Sequence, residues 1–423
     1  MIFKIKNFGK IAEANIKLDG ITVICGNNNT GKSTVGKALF SFFNALTDYK
    51  NKIDAQKNSK LIAAIRNYPS DLMGLPVKFL QSESSMDFIS KHEKDFSLEE
   101  VKEFLELSYE VKLPKERLNS LVKYLNTPET DILNEYVYRY ITSVMNGQIK
   151  NAYSSSSSQC SISGEFKDFT NTIKIRKQNC SCDLHKSIEH SAYYINTPFS
   201  LDGLNEHRFA IYGSNPMSRN IVDAILQAQA EINEDSMTNI LDTVLNKKEL
   251  DDVRSIIKKA YSGDTIIDHG RYFYIENGIP FDFRNISAGL KSFAIIERLL
   301  ETGVLKKKDV LILDEPEIHL HSEWQIIYAE LIVILQKTFD LTILLVTHSS
   351  QFLESLIYYM EKYAIADKGN YYIPVQNEKG VTIVNRTDNL IRMKKSLKSG
   401  LYTLANKKLE ELTSGDSDEE DNE

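Results

Sequence analysis

The alternation of hydrophobic and polar residues at the start of the chain predicts three strands followed by a helix. Residues 2–5 and 14–18 alternate apolar and polar positions, as strands with one buried face do. Residues Ile21–Cys25 are apolar throughout, which is typical of a strand covered on both faces. A helical pattern begins within residues 31–46, so this part of the chain has the element order of an α/β fold.

Strand patterns return after residue 265. Residues 272–275 and 279–283 flank Glu276-Asn277-Gly278, a sequence typical of the turn of a β-hairpin. The pattern then predicts a helix that ends near Gly303. Beyond it we predict buried strands at 310–313 and 341–346, helices at 323–335 and 352–360, and a hairpin of strands at 371–375 and 381–385.

The segment between these two regions has a different pattern and predicts an insertion, mainly helical with some strands, over residues 48–264. Ser97 and Glu100 form a capping box that opens a helix, and Pro114 and Pro128 open two more. Further predictions are strands within 161–175 and 191–195 and a helix over 220–245. No heptad pattern persists, which excludes a long coiled-coil arm.

We therefore expect an α/β head built from both ends of the chain, over residues 1–47 and 265–387. A basic helix over 388–412 and an acidic, disordered tail over 413–423 follow. The basic helix has two open interpretations, a surface for DNA or an acidic partner, and an ordinary solvated face.

A glycine-rich sequence joins the third strand to the first helix. Gly26-Asn27-Asn28-Asn29-Thr30-Gly31-Lys32-Ser33 fits the pattern G-x-x-x-x-G-K-[ST] of a phosphate-binding loop. Its amides and the helix N-terminus attract phosphate, Lys32 reaches the β- and γ-phosphates, and Ser33 joins the Mg²⁺ shell. With Thr34, these are the predicted ATP-binding residues, and ATP and Mg²⁺ are the predicted cofactors.

Two acids end the predicted buried strand at 310–313. Because such a strand delivers its last residues beside the phosphate loop, Asp314 is predicted to hold Mg²⁺ and Glu315 to polarise the attacking water. The next buried strand ends in Thr347-His348, and His348 is predicted to contact the γ-phosphate. Lys32, Glu315 and His348 are thus the predicted catalytic residues.

The order of these motifs resembles the ABC-type ATPases of the SMC, RecF and OLD group, and Ile5-Lys6-Asn7-Phe8-Gly9-Lys10-Ile11 is similar to their opening sequence. Residues 317–325 resemble the AAA-15-type ATPases of bacterial anti-phage systems such as Septu, PARIS and retron types. The resemblance covers residues 1–45 and 265–365.

That resemblance implies a head-to-tail homodimer, or a larger even-numbered assembly, with two ATP molecules between subunits. It implies that Ser287, Gly289 and Lys291, within Ser287-Ala288-Gly289-Leu290-Lys291, contact the ATP held by the other subunit's phosphate loop. Gln81 is the candidate for the family's glutamine loop. No nuclease centre of the kind fused to OLD relatives is evident.

Composition and charge limit the function further. No run of eighteen apolar residues exists, which excludes a membrane span and a transporter. The net charge is −7, but the last ten residues supply six acids, so no global basic field favours nucleic acid. Cys180, Cys182, His185 and Cys160 are either a poorly spaced zinc site or reduced cysteines, and the four cysteines fit the cytoplasm.

Three functions remain open. The first is a sensor or scaffold ATPase of an anti-phage system that controls a separately encoded effector nuclease or toxin. The second is a DNA-repair ATPase like RecF that clamps DNA, so DNA stays a possible partner. The third is an ATP-dependent dimerisation switch with little turnover.

Overall fold

One large mixed sheet organises the molecule. The computed structural model describes residues 1–66, 83–92, 95–155, 158–205, 215–234, 240–268 and 271–390. Within these ranges, eleven strands form the sheet in the order β6-β5-β4-β1-β2-β14-β13-β3-β12-β11-β7. The strands are β1 Ile2–Phe8, β2 Ile11–Lys17, β3 Ile21–Cys25, β4 Cys160–Glu165, β5 Thr170–Arg176, β6 Asn179–Asp183, β7 Ala192–Ile195, β11 Val310–Asp314, β12 Thr342–Thr347, β13 Gly369–Asn377 and β14 Gly380–Asn385.

The sheet has a parallel part and an antiparallel part. Strands β13, β3, β12, β11 and β7 are parallel to one another, whereas β6, β5, β4, β1 and β2 pair antiparallel in that order. Strand β14 joins the two parts, antiparallel to β13 and parallel to β2. In the parallel part the carboxyl ends of the strands meet at one edge, where ligands bind in open α/β sheets. That edge receives Cys25, Ile195, Asp314 and Thr347.

Helices cover both faces of the parallel part, which explains why its strands are apolar throughout. Val23 and Leu311 belong to one core cluster, whereas Ile24 and Ile312 belong to another on the opposite face. The helices are α1 Lys32–Leu46, α2 Tyr49–Arg66, α3 Glu83–Ser90, α4 Leu98–Tyr109, α5 Lys115–Leu125, α6 Glu129–Val144, α7 Pro216–Glu234, α8 Ile240–Ala260, α9 Ala288–Glu301, α10 Ser322–Phe339 and α11 Ser350–Lys362. The predicted α/β class with a helical insertion is confirmed.

The insertion contains a small core of its own. Leu61 of α2, Leu105 of α4 and Leu121 of α5 are at most 3% exposed and belong to a third hydrophobic cluster. The predicted capping box is confirmed, since the Ser97 hydroxyl accepts from the Glu100 amide and the Glu100 carboxylate accepts from the Ser97 amide.

A second, three-stranded sheet contains β8 Asp264–Asp268, β9 Arg271–Glu276 and β10 Ile279–Asp282. Asn277 and Gly278 join β9 to β10 with φ values of 50° and 79°. Positive φ at both positions defines the tight turn that asparagine-glycine pairs favour, so the predicted hairpin is confirmed.

The structure differs from the predicted limits in two places. Strands β4 to β7 lie within the predicted insertion, yet they join the head's sheet, where β4 pairs with β1 and β7 pairs with β11. The helix predicted over 220–245 corresponds to α7 and α8, and α8 continues to Ala260.

Gln81 and residues 391–423, with most of the predicted basic helix and the acidic tail, lie outside the described residues. Among the helices of the described part, none is long and apolar enough to cross a membrane.

Candidate nucleotide-binding site

The phosphate loop connects β3 to α1 at the carboxyl edge of the sheet. Asn29 and Gly31 have φ values of 64° and 80°, in the left-handed region. Glycine adopts this region without steric cost, and asparagine tolerates it better than most residues. Gly26 is also sterically required, because a β-carbon there would lie 2.9 Å from Pro374. The loop therefore curves around the N-terminus of α1, whose first amides have no intrahelical partner.

Lys32 is held inside the loop. Its side chain is 4% exposed, and its ammonium donates to the carbonyl oxygens of Gly26 and Asn27 at 2.9 and 2.8 Å. Glu315 Oε1 lies 3.9 Å from the Lys32 Nζ. Burial lowers the pKa of Lys32, and the nearby carboxylates of Glu315 and Asp314 oppose that shift. The loop thus contains a preplaced cation where the phosphates of a nucleotide would lie.

Asp314 is brought to Ser33, as the sequence predicts. The Ser33 hydroxyl donates to Asp314 Oδ1 at 3.0 Å, and the Tyr194 hydroxyl donates to Oδ2 at 2.5 Å. Burial raises the pKa of Asp314, and these two hydrogen bonds oppose the shift. A hydroxyl and a carboxylate beside a phosphate site are the oxygen ligands that Mg²⁺ takes, so the residues fit this ion.

Tyr194 was missed by the sequence analysis as a site residue. It lies on β7, which pairs in parallel with β11, and its ring is almost fully buried. A tyrosine hydroxyl within a buried apolar strand needs an acceptor, and this is the signal that would have revealed it. Because Tyr194 occupies one oxygen of Asp314, the carboxylate cannot rotate freely, and its other oxygen stays directed at Ser33.

Glu315 has an unusual backbone. Its φ of 54° is left-handed, where glutamate is rare, and its amide donates to the carbonyl of Val346 at 2.8 Å. Such conformations cost of the order of 1–3 kcal/mol and are concentrated at functional sites. The turn directs the Glu315 carboxylate to within 3.5 Å of His348 Nδ1 as well as toward Lys32. The predicted catalytic residues Lys32, Glu315 and His348 therefore converge.

Ser287 is the N-cap of α9, and Gly289 and Lys291 lie buried in its first turn. Ser287 caps the helix by accepting from the Leu290 amide at 3.3 Å. A β-carbon at Gly289 would lie 3.0 Å from the His319 carbonyl, so glycine permits the close approach of this loop. Lys291 is fully buried and bonds both Asp202 oxygens, at 2.8 and 2.9 Å. A contact between Lys291 and ATP would require that ion pair to open, so it stays a prediction.

The phosphate loop follows β3, and Asp314 ends β11, which is separated from β3 by the single strand β12. A phosphate loop and an aspartate on two parallel strands in this arrangement define a P-loop nucleoside triphosphatase. The chain belongs to the AAA ATPase domain family known as AAA_15, whose sequence model matches residues 1–353. It is an ATPase of the AAA_15 type.

Solved structures of SMC heads are similar to the chain. They include the SMC head domain from Thermotoga maritima, at 11% identity and a TM-score of 0.38, with coverage of 91% of this chain and 97% of that one. An Smc head bound to the C-terminal winged-helix domain of ScpA matches at 11% identity and a TM-score of 0.42, covering 91% and 96%. An Smc head with an extended coiled coil, bound to the C-terminal domain of ScpA derived from Pyrococcus furiosus, matches at 10% identity and a TM-score of 0.42. The match covers 94% of this chain and 98% of that one. The comparison with curated proteins found no match.

Proposed function

We propose that the chain hydrolyses Mg²⁺-ATP at the edge of the sheet formed by the phosphate loop and by Asp314 and Glu315. The observation that carries the proposal is the convergence of Lys32 and His348 on Glu315: the Lys32 Nζ lies 3.9 Å and the His348 Nδ1 lies 3.5 Å from Glu315 Oε1. A cation beside the phosphates and a carboxylate that activates water are recurring parts of phosphoryl transfer to water, and an imidazole can stabilise the charge on the transferred phosphate.

Each residue has a distinct role in this proposal. The loop amides from Gly26 to Thr34 surround the phosphates, and Lys32 leaves the two carbonyls that it bonds to reach the β- and γ-oxygens. Ser33 and Asp314 hold Mg²⁺, which neutralises charge on the phosphates. Glu315 orients and deprotonates the water, and His348 donates to the γ-phosphate.

We further propose that a second copy of the chain completes each site. The N-terminus of α9 is a phosphate-binding end, and Ser287 at its cap is exposed. Ile318 is 54% exposed in the loop after Glu315, and His321 is exposed in the same loop. A head-to-tail dimer, or a larger even-numbered assembly, covers this loop and brings Ser287 to the partner's ATP.

Mixing two inactive variants tests the shared site. Lys32→Ala removes the phosphate-loop cation, and Ser287→Arg obstructs the helix end that the partner uses. In a mixed dimer, one site combines two intact halves, so about a quarter of the parent ATPase rate is expected at equal amounts. Lys32→Ala mixed with Glu315→Gln is the matched control, because both changes then damage phosphate-loop sites and no intact site forms. No recovery in mixtures with demonstrated subunit exchange would exclude the shared site.

At the level of biology, we propose a cytoplasmic sensor or scaffold subunit of a bacterial anti-phage system that controls a separately encoded effector nuclease or toxin. The insertion supports this role, because it has its own hydrophobic core and exposes large apolar side chains on neighbouring helices. Leu107 of α4 is 77% exposed, and Tyr124 of α5 is 54% exposed. We propose that these two side chains belong to the surface that binds the effector.

Co-expression tests the effector proposal. Together with the product of the neighbouring gene, the chain is expected to purify as a complex and to reduce phage plating, and Lys32→Ala should abolish protection. Leu107→Ser with Tyr124→Ser should weaken the complex while leaving the ATPase rate of the isolated chain unchanged. Metal-dependent DNA cleavage by the isolated chain, or full protection without the neighbour, would contradict the proposal.

One observation favours the second candidate, a DNA-clamping repair ATPase. Lys174 and Arg176 of β5, with Lys177, line a cavity of about 370 Å³ on the antiparallel edge of the sheet. Lys6 lies on the same open face, since Lys6 and Lys174 both pair with Ser161. Salt-sensitive, ATP-dependent binding of DNA that is lost in Lys174→Glu with Arg176→Glu would favour this function.

A further inference from the structure

Glu317 is a buried acid in the turn that follows β11. It lies two residues beyond Glu315, and its side chain is 3% exposed, whereas Ile318 and His319 beside it face water. Removing a carboxylate from water is costly unless hydrogen bonds or opposite charges compensate. The turn offers exposed positions for an acid, so burial at this position needs a reason.

One carboxylate oxygen of Glu317 fixes the turn that contains His348. Its Oε1 accepts hydrogen bonds from the Thr347 hydroxyl and, at 3.3 Å, from the His348 amide. Thr347 is itself fully buried, and its hydroxyl oxygen accepts from the Ser349 amide at 3.0 Å. Glu317 is therefore the central acceptor of a short network that sets the backbone on both sides of His348.

The imidazole of His348 lies between two carboxylates. Its Nδ1 is 3.7 Å from Glu317 Oε1 and 3.5 Å from Glu315 Oε1. The ring is 40% exposed, so it lies at the surface of the site and not within the core. With Nδ1 on the side of the acids, Nε2 is the ring nitrogen left to meet a phosphate.

The same turn is connected to the phosphate loop and to the turn at Glu315. The Gly26 amide donates to the Thr347 carbonyl at 3.4 Å, and the Glu315 amide donates to the Val346 carbonyl at 2.8 Å. The Gln325 side chain donates to the Leu320 carbonyl at 3.1 Å, which restrains the loop that follows Glu317. Loss of the acceptor oxygen at Glu317 would therefore displace His348 more directly than any other residue of the proposed catalytic site.

We propose that Glu317 is a positioning residue for His348: its Oε1 holds the Thr347–His348 turn so that His348 Nε2 meets the γ-phosphate of ATP. Glu317 itself touches neither nucleotide nor water in this role. The inference rests on the proposed ATP hydrolysis, since only ATP, and not ADP, offers the group that His348 contacts. The required feature is an acceptor oxygen at this place, which glutamine also supplies.

Two substitutions at Glu317 and one double variant test the role. Glu317→Leu removes the acceptor, whereas Glu317→Gln keeps an oxygen in the same geometry. Glu317→Leu is expected to lower kcat about 10- to 100-fold with the affinity for ADP unchanged, and Glu317→Gln is expected to recover most of kcat. Because the effect acts through His348, adding Glu317→Leu to His348→Ala should lower kcat no further.

Glu330→Leu is the matched control for the loss of a buried acid. Glu330 lies on α10 and not in the turn after β11. Its side chain is 3% exposed and accepts hydrogen bonds from the Tyr363 hydroxyl and from the Lys259 ammonium. This variant should reduce the melting temperature without changing kcat for the folded fraction. If Glu317→Leu only reduces the melting temperature, or multiplies the loss of His348→Ala, the positioning role is wrong.

Binding measurements separate this inference from the proposed function. In the Glu315→Gln background, where turnover is slow, Glu317→Leu should reduce the preference for ATP over ADP. If the parent chain hydrolyses ATP and Glu315→Gln does not, the proposed function holds, and the ATP preference alone decides the role of Glu317. An unchanged preference would overturn that role. A parent chain without hydrolysis would instead contradict the proposed function.

Discussion

Lys32→Ala is expected to abolish ATP binding. The substitution removes the cation that is buried inside the phosphate loop and bonded to the Gly26 and Asn27 carbonyls. Each charge-assisted hydrogen bond contributes about 1.5–3 kcal/mol, so losing those to two phosphates weakens binding by more than about 100-fold. Titration of a fluorescent ATP analogue measures the affinity directly.

Lys52→Ala is the control for this change. Lys52 is a half-buried lysine that also donates to carbonyls, at 2.7 Å to Asn44 and also to Thr47, and burial lowers its pKa to about 8. It lies beyond the far end of α1, so its loss should affect stability and not nucleotide affinity. If both variants bound ATP as the parent does, Lys32 would have no role in the site.

Glu315→Gln is expected to bind ATP with nearly parental affinity and to hydrolyse it about 100-fold or more slowly, because an amide cannot accept a proton from water. In the presence of ATP this variant should accumulate as dimers or larger even-numbered assemblies, because slow hydrolysis leaves ATP bound between the subunits. Single-turnover rates and light scattering with ATP and with ADP measure the two effects.

The exposed acid Glu323, in the first turn of α10, provides the comparison for charge alone. Glu323→Gln should hydrolyse ATP at the parental rate. Parental hydrolysis by Glu315→Gln would show that another group activates the water, and the left-handed backbone at Glu315 would then have a purely structural origin.

The sequence predicted the phosphate loop and its surroundings well because their determinants are local. Ile21–Cys25 and Val310–Asp314 are apolar runs of strand length, and glycine and proline mark their neighbours. The pairing of Ser33 with Asp314 followed from a general property, since parallel strands bring their carboxyl ends to one edge. Their hydrogen bond confirms that the two residues meet, although their roles toward Mg²⁺ stay predictions.

The sheet membership of β4 to β7 was not predictable in this way. Alternation identifies a strand but not its partner, and the pairing of β4 with β1 joins residues more than 150 positions apart. Tyr194 and Glu317 were missed for the same reason, because their partners Asp314 and Thr347 lie on other strands. For Lys291 the sequence instead implied a contact that the structure does not show. The motif suggested that its ammonium binds ATP, whereas the ammonium is buried in an ion pair with Asp202.

The strand order also determines when the head can form during protein synthesis. β3 lies between β12 and β13, and β2 lies between β1 and β14. A ribosome that adds about 5–20 residues per second takes roughly 15–65 s to proceed from Cys25 to Thr342. During that interval the phosphate-loop strand has neither neighbour, and its unpaired backbone edges are open to other chains. We therefore expect the nascent head to be prone to aggregation until its last two strands emerge.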